Sequence, residues 1–362
     1  MEWLRILLLP FALLYGVAIW LRNLLFDTGI LPSKSFPIPV ISVGNLSAGG
    51  AGKTPHVEYL VDLLKNEYRI AVLSRGYKRK TKGFLLAGPD STASDIGDEP
   101  LQIHKKHPDI LVAVQEKRRK GIERIMREHP EVNLIILDDA FQHRYVNPGL
   151  NLLLTGYYNP FFRNFLLPVG NLREAKRRAK RADALVVTKT PKVFSPLDRR
   201  YFVQKLRRYK LKNIYFSRLA YQRFIPMTPG TPDCPPAEIK TIFLLTGIAN
   251  PESLQERLKT RCKDLVVHRY PDHHQFREKD LKKLRKVFTE TISHSKIVVT
   301  TEKDAMRMES EQLREQLDGI PVYCLPVRVA FHRDDKRKFD RMVFRFLEDF
   351  HRGQNRRENP DK

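Results

Sequence analysis

A glycine-rich segment between a buried strand and an amphipathic helix is the feature that most constrains this chain. The segment is GNLSAGGAGKTP, Gly44 to Pro55, and an apolar run at 38–43 comes directly before it. The apolar positions that follow, 57, 60, 61 and 64, repeat at helical spacing. A glycine-rich turn that ends in Gly-Lys-Thr between a strand and a helix is typical of a phosphate-binding P-loop. Lys53 could then reach β- and γ-phosphates, and the Thr54 hydroxyl could ligate magnesium.

This loop departs at one position from the usual pattern G-x-x-x-x-G-K-[ST]. The pattern asks for glycine at position 47, where the chain has Ser47. Three nearby glycines can supply the flexibility instead. A glycine-rich turn that binds nothing is the alternative, but the order of strand, loop and helix favours a nucleotide site. The predicted nucleotide-binding residues are Ser47, Ala48, Gly49, Gly50, Ala51, Gly52, Lys53 and Thr54.

The charge of the chain indicates an acidic partner. There are 65 Lys and Arg against 41 Asp and Glu in 362 residues, a net charge of +24. Nucleic acid, an anionic membrane surface and a phosphorylated substrate are the three candidates. The 3 cysteines are scattered without a CxxC pair, so neither a zinc site nor a disulfide framework is supported.

The N-terminus carries an uncharged apolar run from Ile6 to Leu21, between Arg5 and Arg22. As a helix it would be roughly 24 Å long, shorter than a bilayer core of about 30 Å. No signal-peptide cleavage site follows. We expect a helix in the membrane interface, with Trp3, Tyr15 and Trp20 at the boundary. A helix buried on the protein core and a single membrane span remain as alternatives.

Apolar runs alternate with helical patterns through most of the chain, which predicts a mostly parallel sheet covered on both faces. The prediction is an α/β fold of P-loop kinase type with a second, smaller α/β domain. A proline-rich stretch, 228–236, suggests a linker between the two. The predicted boundaries are 1–26 for the N-terminal helix, 27–227 for the P-loop domain, 228–240 for the linker, 241–350 for the smaller domain and 351–362 for a disordered tail.

Several polar clusters follow predicted strands, where an open α/β sheet binds its ligands. Asp138 and Asp139 close an apolar run and are placed to hold magnesium near the P-loop. Asp98 and Glu99 could form part of the site, or could only cap a helix. Other clusters are 75–77, 138–143 and 171–174, although most charges of 173–181 could belong to a solvated helix. A histidine-rich loop, 270–276, follows a strand of the second domain and could be catalytic or only polar.

Seven motifs taken together resemble the tetraacyldisaccharide 4'-kinase family of lipid A biosynthesis. They are GNLSAGGAGKTP, SRGY, GDEP, LDDAFQH, LPVGNLREA, PDHH and VVTTEKDA, in the family's order from about residue 38 to 305. The family P-loop also lacks the first glycine. Ala51, Ala140 and Ala175 differ mildly from the commoner Thr or Ser, Gly and Pro, without loss of a reactive group.

The resemblance implies ATP-dependent phosphorylation of the 4'-hydroxyl of a tetraacylated glucosamine disaccharide 1-phosphate, with Mg²⁺. It places the enzyme on an anionic membrane surface, the cytoplasmic face of a bacterial inner membrane. It also implies that Asp98 is the base, helped by His273, with His274 as the alternative partner. Lys53 would act in catalysis, and the metal would be held by Thr54, Asp138 and Asp139. The implied substrate-binding residues are Arg75, Tyr77, Glu99, Arg118, His143, Arg173 and Glu174.

Three rival functions follow from single features. A nucleic-acid-dependent P-loop ATPase would explain the net charge, but no stretch interleaves basic residues with stacking aromatics, so we expect no nucleic-acid partner. A GTPase-like switch would explain Val186 to Lys189, but Pro191 stands where an aspartate would read guanine. A non-catalytic membrane scaffold would not need the full set of site residues.

Overall fold

The computed structural model describes residues 7–211 and 213–358, so Trp3 and Arg5 lie outside the described residues. In this part of the chain the helices are α1 Leu9–Asp27, α2 Lys53–Leu64, α3 Ala93–Ile96, α4 Asp98–Lys106, α5 Arg118–Glu128, α6 Pro196–Arg207, α7 Glu252–Lys259, α8 Glu278–Glu290, α9 Glu302–Ala305, α10 Glu311–Glu315 and α11 Asp335–Glu358. The strands are β1 Val40–Asn45, β2 Ile70–Ser74, β3 Leu85–Leu86, β4 Leu111–Val114, β5 Leu134–Asp138, β6 Leu150–Gly156, β7 Ala184–Thr188, β8 Asn213–Tyr221, β9 Ile225–Pro226, β10 Ile239–Thr246, β11 Cys262–Arg269, β12 Lys296–Thr300, β13 Val322–Cys324 and β14 Val327–Phe331.

A nine-stranded sheet carries the P-loop at its centre, in the order β14-β8-β7-β6-β1-β5-β2-β4-β3. The seven inner strands are parallel, and the edge strands β3 and β14 are antiparallel to their neighbours. Every residue of β1, β2, β5 and β7 is buried. Helices cover both faces, with α2 and α11 on one side and α5 and α6 on the other. The predicted fold class is confirmed.

A second sheet of five strands has the order β11-β10-β12-β13-β9 and is parallel except for the short edge strand β9. Its core lies between β10, β12 and the amphipathic helix α8, where Phe243, Leu284 and Val298 are buried together. This unit is the smaller α/β domain. Residues that follow its strands β11 and β12 contact the larger domain near the P-loop, as His273 and Lys303 do.

The boundaries expected for the two domains are wrong at both ends. Residues 327–331 fell within the range expected for the smaller domain, but they form β14, which pairs with β8 at the edge of the larger sheet, with Val327 opposite Tyr221. Helix α11 also returns to the larger sheet, where Phe339 and Val343 join the core. Strand β9, expected in the P-loop domain, pairs with β13 instead. The smaller domain is therefore an insertion between β8 and β14, because these two strands complete each other only after the chain returns.

The predicted disordered tail is also corrected over 351–358. Helix α11 continues to Glu358, whereas 359–362 lie outside the described residues. Opposite charges repeat at helical spacing along it, with Arg345 and Asp349 3.8 Å apart and Arg352 and Glu348 3.9 Å apart. Pairs of this kind support a solvent-exposed helix.

Helix α1 presents most of its apolar side chains to solvent. It is long and apolar enough to cross a membrane, although length and composition alone are weak evidence for a span. Only Ala12, Asn23 and Phe26 are buried, so the alternative of a helix buried on the core does not describe it. Its C-terminal half is fastened to the body, because Arg144 donates to Asn23 and pairs with Asp27.

Candidate active site

The glycine-rich loop folds as a cradle of backbone N–H groups between β1 and α2. Asn45 closes the loop, since its side-chain amide donates to Ser47 O at 2.6 Å. Gly49 and Gly52 have φ of +104° and +81°, a region that glycine enters without steric cost. Helix α2 begins at Lys53, directly after Gly52, so its unpaired N–H groups face the loop. The geometry is that of an anion site at a helix N-terminus.

Two neighbouring segments hold this loop in place. The Thr188 hydroxyl at the end of β7 donates to Ala51 O at 2.8 Å. On the other side, Ala48 N donates to Asn171 O at 2.6 Å. The loop is thus tied to the end of β7 and to the segment around Asn171.

Lys53 points into the cradle beside the second aspartate of the acid pair. Its Nζ lies 3.4 Å from Asn45 Oδ1 and 3.7 Å from Asp139 Oδ1. Arg173 Nη1 lies 3.0 Å from both carboxylate oxygens of Asp139. Burial alone would raise the pKa of Asp139, but the charges of Lys53 and Arg173 outweigh it and lower the pKa. Asp139 therefore stays ionised and orders the two cations.

Asp138, at the end of β5, is completely buried and only half satisfied. Its Oδ2 accepts from the Ser74 hydroxyl at 3.3 Å, whereas Oδ1 has no hydrogen-bond partner among the described residues. Burial, together with the charges of Glu99 and Asp139, raises the pKa of Asp138 to about 7. An unpaired buried carboxylate oxygen is costly unless a ligand completes it.

The unpaired Oδ1 of Asp138 is a possible ligand for magnesium. No cluster of three or more His, Cys, Asp or Glu side chains that could hold a metal occurs in the part of the chain described. Mg²⁺ does not need one, since it keeps several waters and takes phosphate oxygens with one or two carboxylates. The oxygen donors of Asp138 and Thr54, beside a phosphate cradle, fit that chemistry.

Three of the implied substrate-binding side chains form hydrogen bonds or ion pairs within the protein. Arg118 is buried, and its guanidinium donates to Gln115 O at 2.7 Å and to Asp138 O at 3.0 Å. His143 Nε2 lies 3.1 Å from Arg118 N, which donates to it. Burial and the charges of Arg118, Arg22 and Arg75 lower the pKa of His143 to about 4, so the imidazole is neutral. Arg118 therefore stabilises the end of β5 directly, and His143 does so through Arg118.

Glu174 is the third of these side chains. It is fully buried, and its Oε2 pairs with Arg181 Nη2 at 2.6 Å. Burial is the main cause that raises its pKa. Direct contact with a substrate, as the family resemblance implies, is not available to Glu174 or Arg118 in this conformation because neither reaches the surface.

Asp98 and His273 meet across the two domains, although 175 residues separate them in sequence. His273 Nδ1 lies 3.1 Å from Asp98 Oδ2. Asp98 is the first residue of α4, and His273 follows β11 with φ of +59°, a left-handed conformation that is uncommon for histidine. His274 faces its own domain instead, where its Nε2 lies 2.9 Å from Asp280 and its ring stacks on Tyr270. The histidine that contacts Asp98 is therefore His273.

Two basic residues of the smaller domain complete this contact, and sequence reasoning assigned neither of them. Arg307 is buried and donates to Asp98 Oδ2 through Nε, at 3.0 Å, and through Nη2. Lys303 Nζ lies 2.9 Å from Glu99 and 3.1 Å from His273 Nε2. Burial would raise the pKa of Asp98, but the His273 hydrogen bond and the two cations lower it. The only sequence signal was the motif VVTTEKDA, which contains Lys303 and ends just before Arg307.

A cavity of about 350 Å³ connects the P-loop to this contact. It lies between the strand ends of the two sheets. The predicted residues that line it are Ala48, Gly49, Gly50, Ala51, Gly52, Lys53, Thr54, Tyr77, Glu99, Asp139, Arg173 and His273. The predicted residues outside its lining are Ser47, Arg75, Asp98, Arg118, Asp138, His143 and Glu174. Of these, Asp98 contacts the lining residues His273 and Lys303, and Asp138 directly precedes the lining residue Asp139.

The fold and the cavity define a P-loop protein of kinase type, with a phosphate cradle on one wall and a carboxylate–imidazole pair on the other. A family model described as tetraacyldisaccharide-1-P 4'-kinase matches residues 4–348. The chain therefore belongs to the tetraacyldisaccharide-1-P 4'-kinase family, as the sequence motifs predicted.

Individual relatives agree with the family assignment. A protein from Flavobacterium psychrophilum named tetraacyldisaccharide 4'-kinase is 44% identical over 350 residues, covering 96% of this chain and 98% of that protein. One of the same name from Phocaeicola vulgatus is 43% identical over 338 residues, 92% of each chain. A crystal structure of an "apo" form of LpxK from Aquifex aeolicus in complex with ATP superposes with a TM-score of 0.70 at 30% identity, covering 95% of this chain and 99% of that one.

Proposed function

We propose that this chain transfers the γ-phosphoryl group of ATP to the 4'-hydroxyl of a tetraacylated glucosamine disaccharide 1-phosphate. The observation that carries the proposal is the Asp98–His273 contact, which closes the wall of the cavity opposite the P-loop. One wall binds a polyphosphate and the other offers a base, as phosphoryl transfer to an alcohol requires. Family membership supplies the acceptor, which the geometry alone does not name.

On the donor side, the backbone N–H groups from Ala48 to Lys53 hold the phosphates, and the Lys53 ammonium neutralises charge on them. Arg173 reaches the same space and is ordered by Asp139. Positioning and neutralisation of charge are the main demands of phosphoryl transfer, because the transition state has little covalent chemistry for the protein to perform.

On the acceptor side, Asp98 takes the hydroxyl proton as the sugar oxygen bonds to the γ-phosphorus. The bond from that phosphorus to the β–γ bridging oxygen breaks, and the electron pair leaves with ADP. Oδ2 of Asp98 is occupied by His273 and Arg307. Oδ1 has no hydrogen-bond partner among the described residues, so we assign proton acceptance to Oδ1. His273 and Arg307 hold the carboxylate in one orientation.

Magnesium would be held beside the cradle by the Thr54 hydroxyl and the free Oδ1 of Asp138, and Asp139 would serve its water shell. When bound, it supplies positive charge to the phosphate oxygens. Ser74 donates to the other carboxylate oxygen of Asp138, Oδ2, and so leaves Oδ1 for the metal.

The remaining predicted substrate-binding residues form two groups, one at the cavity or surface and one that is mostly buried. Tyr77 and Glu99 line the cavity, and Arg75 is exposed at the adjacent strand end, so these three are proposed to contact the sugar or its phosphate. Arg118, His143 and Glu174 are proposed to position the strand ends rather than to touch substrate.

The acylated substrate would stay in the bilayer, and helix α1 is the element proposed to meet it there. Nine large apolar side chains at 7–24 are exposed, and the chain carries a net charge of +24, which suits an anionic lipid surface. Tyr15 of this helix donates to the carbonyl oxygen of Arg173 at 2.9 Å. The proposed location is the cytoplasmic face of the bacterial inner membrane, peripheral or monotopic.

The test uses the full chain, γ-labelled ATP, magnesium and detergent micelles, with either the lipid disaccharide 1-phosphate or duplex and single-stranded nucleic acid. We expect label to move to the 4'-position of the lipid, with no stimulation of ATP hydrolysis by nucleic acid. Stimulation by nucleic acid without labelled lipid would overturn the proposal and favour the nucleic-acid-dependent ATPase.

A further inference from the structure

The cavity contains one lysine that neither the mechanism above nor the family motifs use. Lys189 follows β7 directly and lines the cavity on the P-loop side. A β-carbon added to Gly50 would lie 3.6 Å from Lys189 Nζ, so the ammonium stands next to the glycine part of the cradle.

The other cations of this cavity already have partners. Lys53 and Arg173 both lie within 4.0 Å of Asp139. Lys303 forms an ion pair with Glu99. Lys189 has no carboxylate within that distance and no hydrogen-bond partner for Nζ among the described residues. Lys189 is partly buried, and an ammonium shielded from water without a partner is unfavourable, so the structure leaves one positive charge for a ligand to neutralise.

The backbone holds Lys189 in this position. Its φ is +57°, an uncommon conformation for a residue with a β-carbon. The residues on both sides fix it there, because Thr188 donates to Ala51 O at 2.8 Å and Thr190 donates through Oγ1 to Ser217 O at 2.9 Å. A strained residue that its neighbours fix at a ligand cavity is a candidate for function.

The electrostatic surroundings of Lys189 favour the binding of an anion. Burial is the largest cause that lowers the pKa of Lys189, and the charges of Lys303 and Lys53 lower it further, although Asp272 opposes them. A polyphosphate in the cradle would oppose these contributions, since its negative charge favours the ammonium form.

We propose that Lys189 is a second lysine ligand of the nucleotide's polyphosphate chain, acting from the β7 side of the P-loop opposite Lys53. The inference rests on the proposed function in that the nucleotide is ATP. It assigns to Lys189 a contact with phosphate oxygens rather than with the ribose or the base.

The test measures equilibrium binding, not turnover. Displacement of a fluorescent ATP analogue from the full-length protein by ATP and by inorganic tripolyphosphate gives the two affinities. In Lys189→Met we expect both to weaken about tenfold, the loss typical of one charge-assisted hydrogen bond. Lys189→Arg should recover most of the loss. Lys192→Met removes an exposed lysine three positions later and should leave both affinities unchanged.

Unchanged tripolyphosphate affinity in Lys189→Met would overturn the proposal. If ATP affinity alone falls, Lys189 contacts the nucleoside, and if neither affinity falls, it contacts no part of the nucleotide. If Lys189→Met does not fold, amine labelling of the unmodified protein followed by mass spectrometry replaces it. Tripolyphosphate should then protect Lys189 from labelling, and absence of protection would overturn the proposal. Failure of the unmodified protein to bind ATP would refute the proposed function instead, so the two failures are distinct.

Discussion

Lys303 Nζ lies 3.1 Å from His273 Nε2, on the side of the imidazole opposite Asp98. An ammonium can only donate, so Nε2 must accept, and the ring proton of a neutral His273 must be on Nδ1. Nδ1 then donates to Asp98 Oδ2. Burial would lower the pKa of Lys303, but Glu99 and Asp98 raise it overall, which keeps the ammonium charged. Asp98 and Lys303 therefore favour the same tautomer of His273 from opposite sides of the ring, whereas Arg307 Nη2 lies farther from Nδ1, at 3.4 Å.

Substitution of Lys303 by Met should release this tautomer. We expect turnover to fall about 10- to 100-fold, as for other changes in residues that orient a catalytic group. The ¹⁵N chemical shifts of His273 should show Nδ1–H in the unmodified protein and a mixture of tautomers in Lys303→Met. Lys279→Met, at an exposed lysine of α8, is the control. An Nε2–H tautomer in the unmodified protein would contradict the assignment.

Asp98→Asn should abolish most of the phosphoryl transfer while ATP still binds. The amide keeps the size of the side chain but cannot accept the hydroxyl proton, so we expect a loss of about 10²- to 10⁴-fold in turnover. Because the pKa of Asp98 is lowered, the base should remain ionised in mildly acidic buffer. Labelled-phosphate transfer and ATP binding are the two measurements, with exposed Asp90→Asn as control. Retained turnover in Asp98→Asn would exclude Asp98 as the base.

Magnesium binding should strengthen with pH near neutrality. The pKa of Asp138 is raised to about 7 without metal, so a proton competes with the metal below that pH. Titration of a nucleotide complex with magnesium, at pH values about one unit below and above 7, should give tighter binding at the higher pH. Asp138→Asn should weaken magnesium binding and remove this dependence. The same dependence in Asp138→Asn would show that another group is responsible.

Acid should destabilise the chain through His56 of the P-loop helix. Its imidazole is buried, bonded to Gly52 O at 2.7 Å and Ser217 Oγ at 3.0 Å. Burial lowers its pKa from 6.5 to about 4. Below about pH 6.5 the unfolded chain binds a proton that the folded chain excludes. The free energy of unfolding therefore decreases as the pH is lowered from about 6.5 to about 4, by about 3 kcal/mol in all.

Urea unfolding at a series of pH values checks this prediction. In His56→Gln the contribution disappears, so its free energy of unfolding should depend less on pH between about 6.5 and 4 than that of the unmodified chain. His294→Gln, at an exposed histidine, should leave the dependence intact. Equal slopes for the His56→Gln variant and the unmodified chain would show that His56 does not control the acid limb.

The exposed face of α1 should control membrane binding more than chemistry. Leu13, Leu14 and Val17 are 69%, 69% and 60% exposed. Their joint replacement by Gln should weaken co-sedimentation with anionic vesicles more than about 100-fold, since each apolar side chain loses its transfer into lipid. Turnover of substrate in detergent micelles should persist. Gln at Val193 and Ile292, which are 89% and 97% exposed elsewhere, is the matched control. Equal partitioning of both variants would contradict the proposed role.

Much of the larger sheet could be predicted because its signals are local. The apolar run at 38–43 predicted a strand before the P-loop, and β1 lies within two residues of these bounds. Asp138 and Asp139 were expected to close an apolar run, and β5 ends at Asp138. A run of apolar residues buried on both faces produces such strands wherever helices cover the sheet. Strand β14 escaped notice because five partly exposed residues give little periodicity, and only its pairing with β8 makes them a strand.

The P-loop could be predicted from the sequence, because the glycines that adopt a positive φ and the helix start at Lys53 lie within one short segment. The partners of Asp98 were decided by the tertiary structure. Lys303 and Arg307 come from the inserted domain, more than 200 positions away in sequence. The burial of Arg118 and Glu174, which the family resemblance implied as substrate-binding residues, was likewise decided by the tertiary structure. Side-chain proximity across such separations depends on how the two sheets pack, and no local pattern encodes that packing.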